Sequence, residues 1–236
     1  MATMRGTAGR FEPGEAELRR AVVETAVEMS RCGLSPGRSG NVSARLGAGL
    51  LITPSAKAYA TLSPADVVHV MADGSVAKGQ GVPSSEWAMH LAVYRTRADA
   101  GAVVHAHSTH ATALACAHKP IPAFHYMELV AGGPEIPGAP YAPPGSEELA
   151  QAVGKAFLDR RACLMANHGQ IACGATLAAA LELAQEVETL AEQYCKTLAV
   201  GGPTLLTAEH IPALVECFRT YGQRGKGQGQ YQDQDS

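Results

Sequence analysis

This 236-residue chain has no excess of charge of either sign: 19 Lys and Arg stand against 22 Asp and Glu, a formal net charge of −3. No electrostatic footprint for nucleic acid results. No uninterrupted apolar run approaches the roughly 18 residues of a membrane span. The opening "MATMRGTAGRFEPGE" lacks the apolar centre of a secretory leader. A cytoplasmic address with no membrane partner is therefore expected. Six cysteines, at 32, 116, 163, 173, 195 and 217, contain no C-x-x-C pair. Neither a cysteine zinc site nor a disulfide framework is expected from that spacing, and in a reducing compartment such residues pack as small core side chains.

Hydrophobic residues make up 46% and charged residues 17%, enough apolar material for one globular domain. Residues 1–14 read as a loose arm and 223–236, "QRGKGQGQYQDQDS", as a disordered polar tail. Leu18, Val22, Ala26 and Met29 form one helical stripe that ends near Gly33. "NVSARL" and "GLLIT" alternate as a hairpin, and "DVVHVMADGSVAKG" holds a strand and a turn at Asp73-Gly74. A helix is predicted over 84–97, capped by Ser84 or Ser85, with Trp87, Leu91 and Tyr94 on one face. "AGAVVHAH" reads as a buried strand and "THATALACAH" as a helix. Residues 131–146 read as a long Gly/Pro loop. After a helix from Glu147 come the strand "ACLMAN", the turn "HGQIACG", a long helix over 176–198 and a last one over 207–221. Interleaved strands and helices imply one α/β domain with helices layered on a sheet.

Chemistry concentrates in three histidine and carboxylate motifs. In "VVHAHSTH" the strand period of two aims His105 and His107 the same way; His110 falls off that face and opens the next helix. An H-x-H pair alone is either half a metal site or two polar residues bonded to backbone at a strand end. "ANHG" ends another apolar strand with His168, which supplies the third nitrogen of an open, catalytic metal site. In "PSSEW", Glu86 is either a carboxylate facing a helix N-terminus or a general base beside a metal. Ser84 and Ser85, with "SGN" at 39–41 and "TPSA" at 53–56, offer hydroxyl and backbone donors suited to an anion.

Taken in order, "SGNVSAR", "LLITPS", "PSSEW", "VVHAHSTH", "IPAFHYM", "APYA", "NHGQIACG" and "FRTYG" resemble the class II aldolase/adducin family, above all its L-fuculose-1-phosphate aldolase branch, over roughly residues 15–222. The resemblance implies a three-layer α/β/α sandwich with a largely antiparallel central sheet, assembled as a homotetramer with active sites at subunit interfaces. It implies a zinc-dependent aldolase with one Zn2+ per subunit, which splits a ketose 1-phosphate reversibly into dihydroxyacetone phosphate and a short aldehyde such as L-lactaldehyde. By the same resemblance His105, His107 and His168 are metal ligands, and Glu86 closes the resting metal shell before acting as base. Gly40, Asn41, Ser55, Ala56, Ser84 and Ser85 hold the phosphate. Tyr126 enters the site from a neighbouring subunit, and Tyr221 enters from the C-terminal segment. Pentulose-phosphate 4-epimerase or sugar-phosphate dehydratase chemistry, and an adducin-like interaction domain, are the alternatives. The chain departs from the branch at Arg38, Ala56 (a glycine in the branch) and Pro144, which leaves the accepted aldehyde open.

Overall fold

The computed structural model describes residues 13–36, 38–76 and 79–221, with backbone alone at 13 and 217–221. Alternation along the strands decides the architecture. In β1 (Asn41–Leu46), Val42 and Ala44 face one way while Asn41 and Ser43 face the other. β2 (Gly49–Ile52) follows as the expected hairpin, with Ser43 opposite Ile52 and Leu46 opposite Gly49. β3 (Val68–Val70), β4 (Ala102–Ala106), β5 (Gly138–Ala139), β6 (Ala162–Met165) and β7 (Gly169–Gly174) complete one sheet of order β3-β2-β1-β4-β7-β6-β5. Every pairing is antiparallel except β5 with β6.

Helices cover both faces. Leu18, Val22, Ala26 and Met29 of α1 (Pro13–Arg31), with α3 (Thr109–Cys116) and α5 (Leu177–Ala199), pack on Val42, Ala44, Leu51, Val104, Leu164 and Ala172. On the opposite face α2 (Trp87–Thr96) and α4 (Glu147–Ala156) cover Leu50, Ile52, Val103, Met165 and Ile171. Each fully buried Val, Leu, Ile or Met among them contributes about 1.5–3 kcal/mol. This is the implied three-layer α/β/α sandwich with a mostly antiparallel sheet. The final helix, α6 (Ile211–Tyr221), follows α5.

Four local readings need correction. "HGQIACG" is not a turn throughout: from Gly169 it is β7, which pairs with β4 and with β6. The Gly/Pro stretch 131–146 hides the two-residue β5. α2 starts at Trp87, after Glu86 in the cap position with no side-chain cap bond, so neither Ser84 nor Ser85 caps it. Ser84 is instead tied sideways, its N–H donating to the Thr53 carbonyl at 3.0 Å. α1 begins inside the stretch read as an arm; residues 1–12 and the polar tail lie outside the described residues.

Candidate active site

Strand β4 ends at Ala106, so His105 is its last inward residue on the α2 face and His107 follows just beyond the strand. His168 sits in the tight turn between β6 and β7. That turn is built by Asn167, which adopts φ +56° and whose Oδ1 lies 2.6 Å from the His118 ring. Gly169 lets β7 approach closely, because a Cβ there would lie 2.5 Å from the Ala106 carbonyl and 3.0 Å from His107 Cδ2.

The three imidazoles form a propeller, with ring centroids 4.8, 4.8 and 5.0 Å apart and planes inclined by 67–74°. One ligand nitrogen from each lies within 4.8 Å of the others. His105 Nδ1 is 2.7 Å from the Gln170 carbonyl. A carbonyl only accepts, so Nδ1 carries the proton and Nε2 is a bare lone pair. That Nε2 lies 3.0 Å from His107 Nε2. Glu86 completes the group, with Oε2 3.3 Å from His105 Nε2 and Oε1 3.0 Å from His168 Nε2. Lone pairs and a carboxylate converging on one point repel unless a cation stands there. Among the described residues Glu86 Oε1 is buried with no hydrogen-bond partner beyond its approach to His168 Nε2. The donor set, three nitrogens and one carboxylate, fits a divalent metal. Burial and the two neighbouring imidazoles push His107 down to about 4, so it stays neutral at pH 7 as a ligand must. Burial works against the charge on Glu86, but positive charge on His105 and His168, when no metal ion takes their lone pairs, outweighs it and holds the carboxyl well below its usual range. Of the two readings of Glu86, the helix-capping one fails: its side chain turns away from the α2 N-terminus into the histidines.

Beside this cluster the small-residue turns converge. Ser55 N–H donates to the Val82 carbonyl at 3.0 Å, and Pro54 bridges Pro83. The 53–56 turn therefore lies against Ser84 and Ser85. Val42 N–H reaches Thr53 Oγ1, which brings in Asn41, and Asn41 pairs across the sheet with His105. Gly40 requires its φ of +79° and its missing side chain, since a Cβ would lie 2.5 Å from the His105 carbonyl. Ala56 sits at φ +58°, the left-handed region that suits the glycine of the related branch. Arg38 Nη1 donates to the Ala56 carbonyl at 3.1 Å, so two of the departures from that branch touch each other. Gly40, Asn41, Ser55, Ala56, Ser84 and Ser85 thus form one neighbourhood.

Tyr126 lies elsewhere. It leads the 3-10 segment Tyr126–Ala131 with its ring against His125, and it is 51% exposed. For Tyr221 only the backbone, at the end of α6, is described. His110 stays out of the cluster, its ring and N–H both on Glu188 Oε1 at 2.9 Å. His90 lies one helical turn after Glu86, where the sequence alone leaves it either to pack or to orient that carboxylate. It is fully buried and hydrogen-bonded to Asn41 and Ser43. The signal was available in the helical spacing of Glu86, His90 and Tyr94, which stacks them on one face.

Comparison with known proteins agrees. The family profile described as Class II Aldolase and Adducin N-terminal domain matches residues 20–195. L-fuculose phosphate aldolase of Escherichia coli O6:H1 is 46% identical over 209 residues, covering 88% of this chain and 97% of its own. The 5-methylthioribulose-1-phosphate/5-deoxyribulose-1-phosphate aldolase of Rhodospirillum rubrum is 46% identical over 205 residues, 87% of this chain and 92% of its own. A solved L-fuculose 1-phosphate aldolase superposes with a TM-score of 0.82 at 38% identity, covering 86% of this chain and 96% of that one. Aldolases of this family are metal-dependent lyases that act on sugar phosphates. The chain belongs to the class II aldolase and adducin family.

Proposed function

We propose that this chain is a zinc-dependent aldolase that cleaves a ketose 1-phosphate, either L-fuculose 1-phosphate or a related deoxyketose 1-phosphate, reversibly to dihydroxyacetone phosphate and a short aldehyde. The observation that carries the reading is the convergence of His105, His107, His168 and Glu86 beside the small-residue cradle. His105, His107 and His168, with Glu86, would hold the zinc ion, which would supply a Lewis acid for the ketose carbonyl. The remaining work belongs to the protein. Gly40, Asn41, Ser55, Ala56, Ser84 and Ser85 hold the phosphate by hydroxyl, amide and backbone donors, which orients the reacting carbons. In the synthetic direction Glu86 takes the proton from the carbon next to the carbonyl, and in cleavage it returns that proton. The Tyr126 phenol exchanges a proton with the aldehyde oxygen across a subunit boundary, consistent with its exposed ring. Tyr221, at the end of α6, is the catalytic residue that the C-terminal segment contributes. A cytoplasmic homotetramer with sites shared between subunits is the assembly this reading requires.

The aldehyde stays open, because the chain departs from the L-fuculose-1-phosphate aldolase branch at Arg38, Ala56 and Pro144. Ala56, held by Arg38, borders the cradle in place of a glycine, and both fuculose and 5-deoxyribulose phosphate aldolases are about equally similar to the chain. The test is release of dihydroxyacetone phosphate from L-fuculose 1-phosphate and from 5-deoxyribulose 1-phosphate, with and without a chelator. Chelator-sensitive release from either is the expected result. No release from both by zinc-loaded protein would sink the proposal.

A further inference from the structure

Behind Glu86 and the phosphate-holding Asn41 runs a buried row of polar groups, His90, Ser43 and Tyr94, that the reaction as described does not use. Asn41 Nδ2 donates to Glu86 Oε2 at 2.9 Å. Asn41 Oδ1 lies 2.5 Å from His90 Nε2, His90 Nδ1 lies 2.7 Å from Ser43 Oγ, and Ser43 Oγ lies 2.8 Å from the Tyr94 hydroxyl. Two local periods assemble it. Asn41 and Ser43 are two apart on β1 and share the α2-facing side. Glu86, His90 and Tyr94 are four apart and share the facing stripe of α2.

The donors and acceptors can be assigned by elimination. The Glu86 carboxylate, flanked by His105 and His168, only accepts, so Asn41 must present its NH2 to it. Asn41 Oδ1 then faces His90, and His90 Nε2 must carry the proton. His90 Nδ1 is left as an acceptor for the Ser43 hydroxyl hydrogen. Ser43 Oγ, with its hydrogen committed, accepts from Tyr94. Every arrow points the same way, from Tyr94 through Ser43, His90 and Asn41 to the carboxylate. Reversing any one link would set two acceptors or two donors face to face inside a buried layer.

We propose that His90 is a positioning residue for Glu86: fixed as the Nε2–H tautomer by Ser43 and Tyr94, it prevents the Asn41 amide from flipping and so holds one Glu86 oxygen in place. This rests on Glu86 being the base of the proposed aldolase. Asn41 has a second N–H, and that hydrogen is the one available to the phosphate cradle. One amide orientation therefore serves both base and phosphate, and its loss lowers kcat and raises KM together.

Two measurements test it. In 15N-histidine-labelled protein, the His90 signal, assigned by its disappearance in His90→Gln, should report a protonated Nε2 and a bare Nδ1; the opposite tautomer would overturn the inference. In kinetics, His90→Gln keeps a donor near the Nε2 position, whereas His90→Asn keeps only a group near Nδ1. The Asn variant should lose about tenfold to a hundredfold in kcat and the Gln variant about threefold or less. Thermal stability and bound metal are measured on the same samples. Equal losses in both variants, or losses that follow stability alone, would overturn it. If the wild-type chain cleaves no ketose 1-phosphate, the aldolase reading falls, while the tautomer measurement still decides whether His90 orients Asn41 toward Glu86.

Discussion

The two faces of the sheet are made by the same strands and differ in kind. Toward α1, α3 and α5, strands β1 and β4 present Val42, Ala44, Ala102, Val104 and Ala106, all essentially without exposure. Toward α2 they present Asn41, Ser43, Val103 and His105, also buried, and there Glu86 and His90 come down from the helix. Burial is equal; what differs is the cost of an error. On the apolar face a lost methylene costs about 1 kcal/mol and the neighbours relax. On the polar face a lost partner leaves a buried donor or acceptor, at about 1–3 kcal/mol each, more when charged. Apolar clusters on both faces supply stability, and the α2 side uses part of it to hold its polar groups in one arrangement.

Substitutions on each face should therefore separate. Glu86→Gln is expected to lower kcat by about 10²–10⁴-fold, the range of a lost general base, while the melting temperature stays the same or rises. Near-wild-type turnover would remove Glu86 from the chemistry. His107→Ala should cost the protein its bound metal, read by elemental analysis, together with its activity; undiminished metal would show that the other groups suffice. Leu190→Ala on α5, with its side chain fully buried, should lower the unfolding free energy by about 2–5 kcal/mol and leave kcat of the folded fraction unchanged. A kcat effect there would mean that the faces are not independent.

The apolar side also contains a titrating group that sharpens the contrast. Glu128, buried in the 3-10 segment against α5, is raised to about 7 by its burial, against the lowering effect of backbone donors from His125 and Phe124. Its folded pKa exceeds its unfolded one, so between about pH 4.5 and 7 the native state binds more protons. Stability contributed by the protonated form is full below that window and is lost as pH rises through it. Glu128→Gln should flatten this part of the stability–pH curve, measured by denaturant unfolding; an unchanged slope would assign it to other groups. The smallest effect is expected at Ala56, where a glycine should relieve the left-handed φ of +58° and raise stability by less than about 1 kcal/mol. A loss of stability there would show that Arg38 fastens the turn through something a glycine cannot keep.

Long amphipathic elements were legible before any coordinates. The α1 stripe, the Ser146-capped α4 and the Thr176-capped α5 carry the period and cap residues that define helices. The β1–β2 hairpin is likewise written in alternation. β7 was hidden because glycines at both ends of "GQIACG" look like turn punctuation, while its strand identity comes from partners on either side. β5 is two residues long and exists only through β6. The histidine triad was readable because H-x-H and a strand-ending His are local signals. The Asn41–His90 row was not, since it needs two elements 49 residues apart in sequence to meet.

The link from His105 Nδ1 to the Gln170 carbonyl ties one imidazole of the cluster, on β4, to the strand that follows His168. The three nitrogens can meet only when β4 and β7 are paired in one alignment, because a slip of one residue turns His105 to the far side of the sheet. An ion that binds only the completed set stabilises that alignment over its neighbours by mass action. On the proposed metal-bound reading, a chain mispaired at β4 and β7 would offer the ion no completed set.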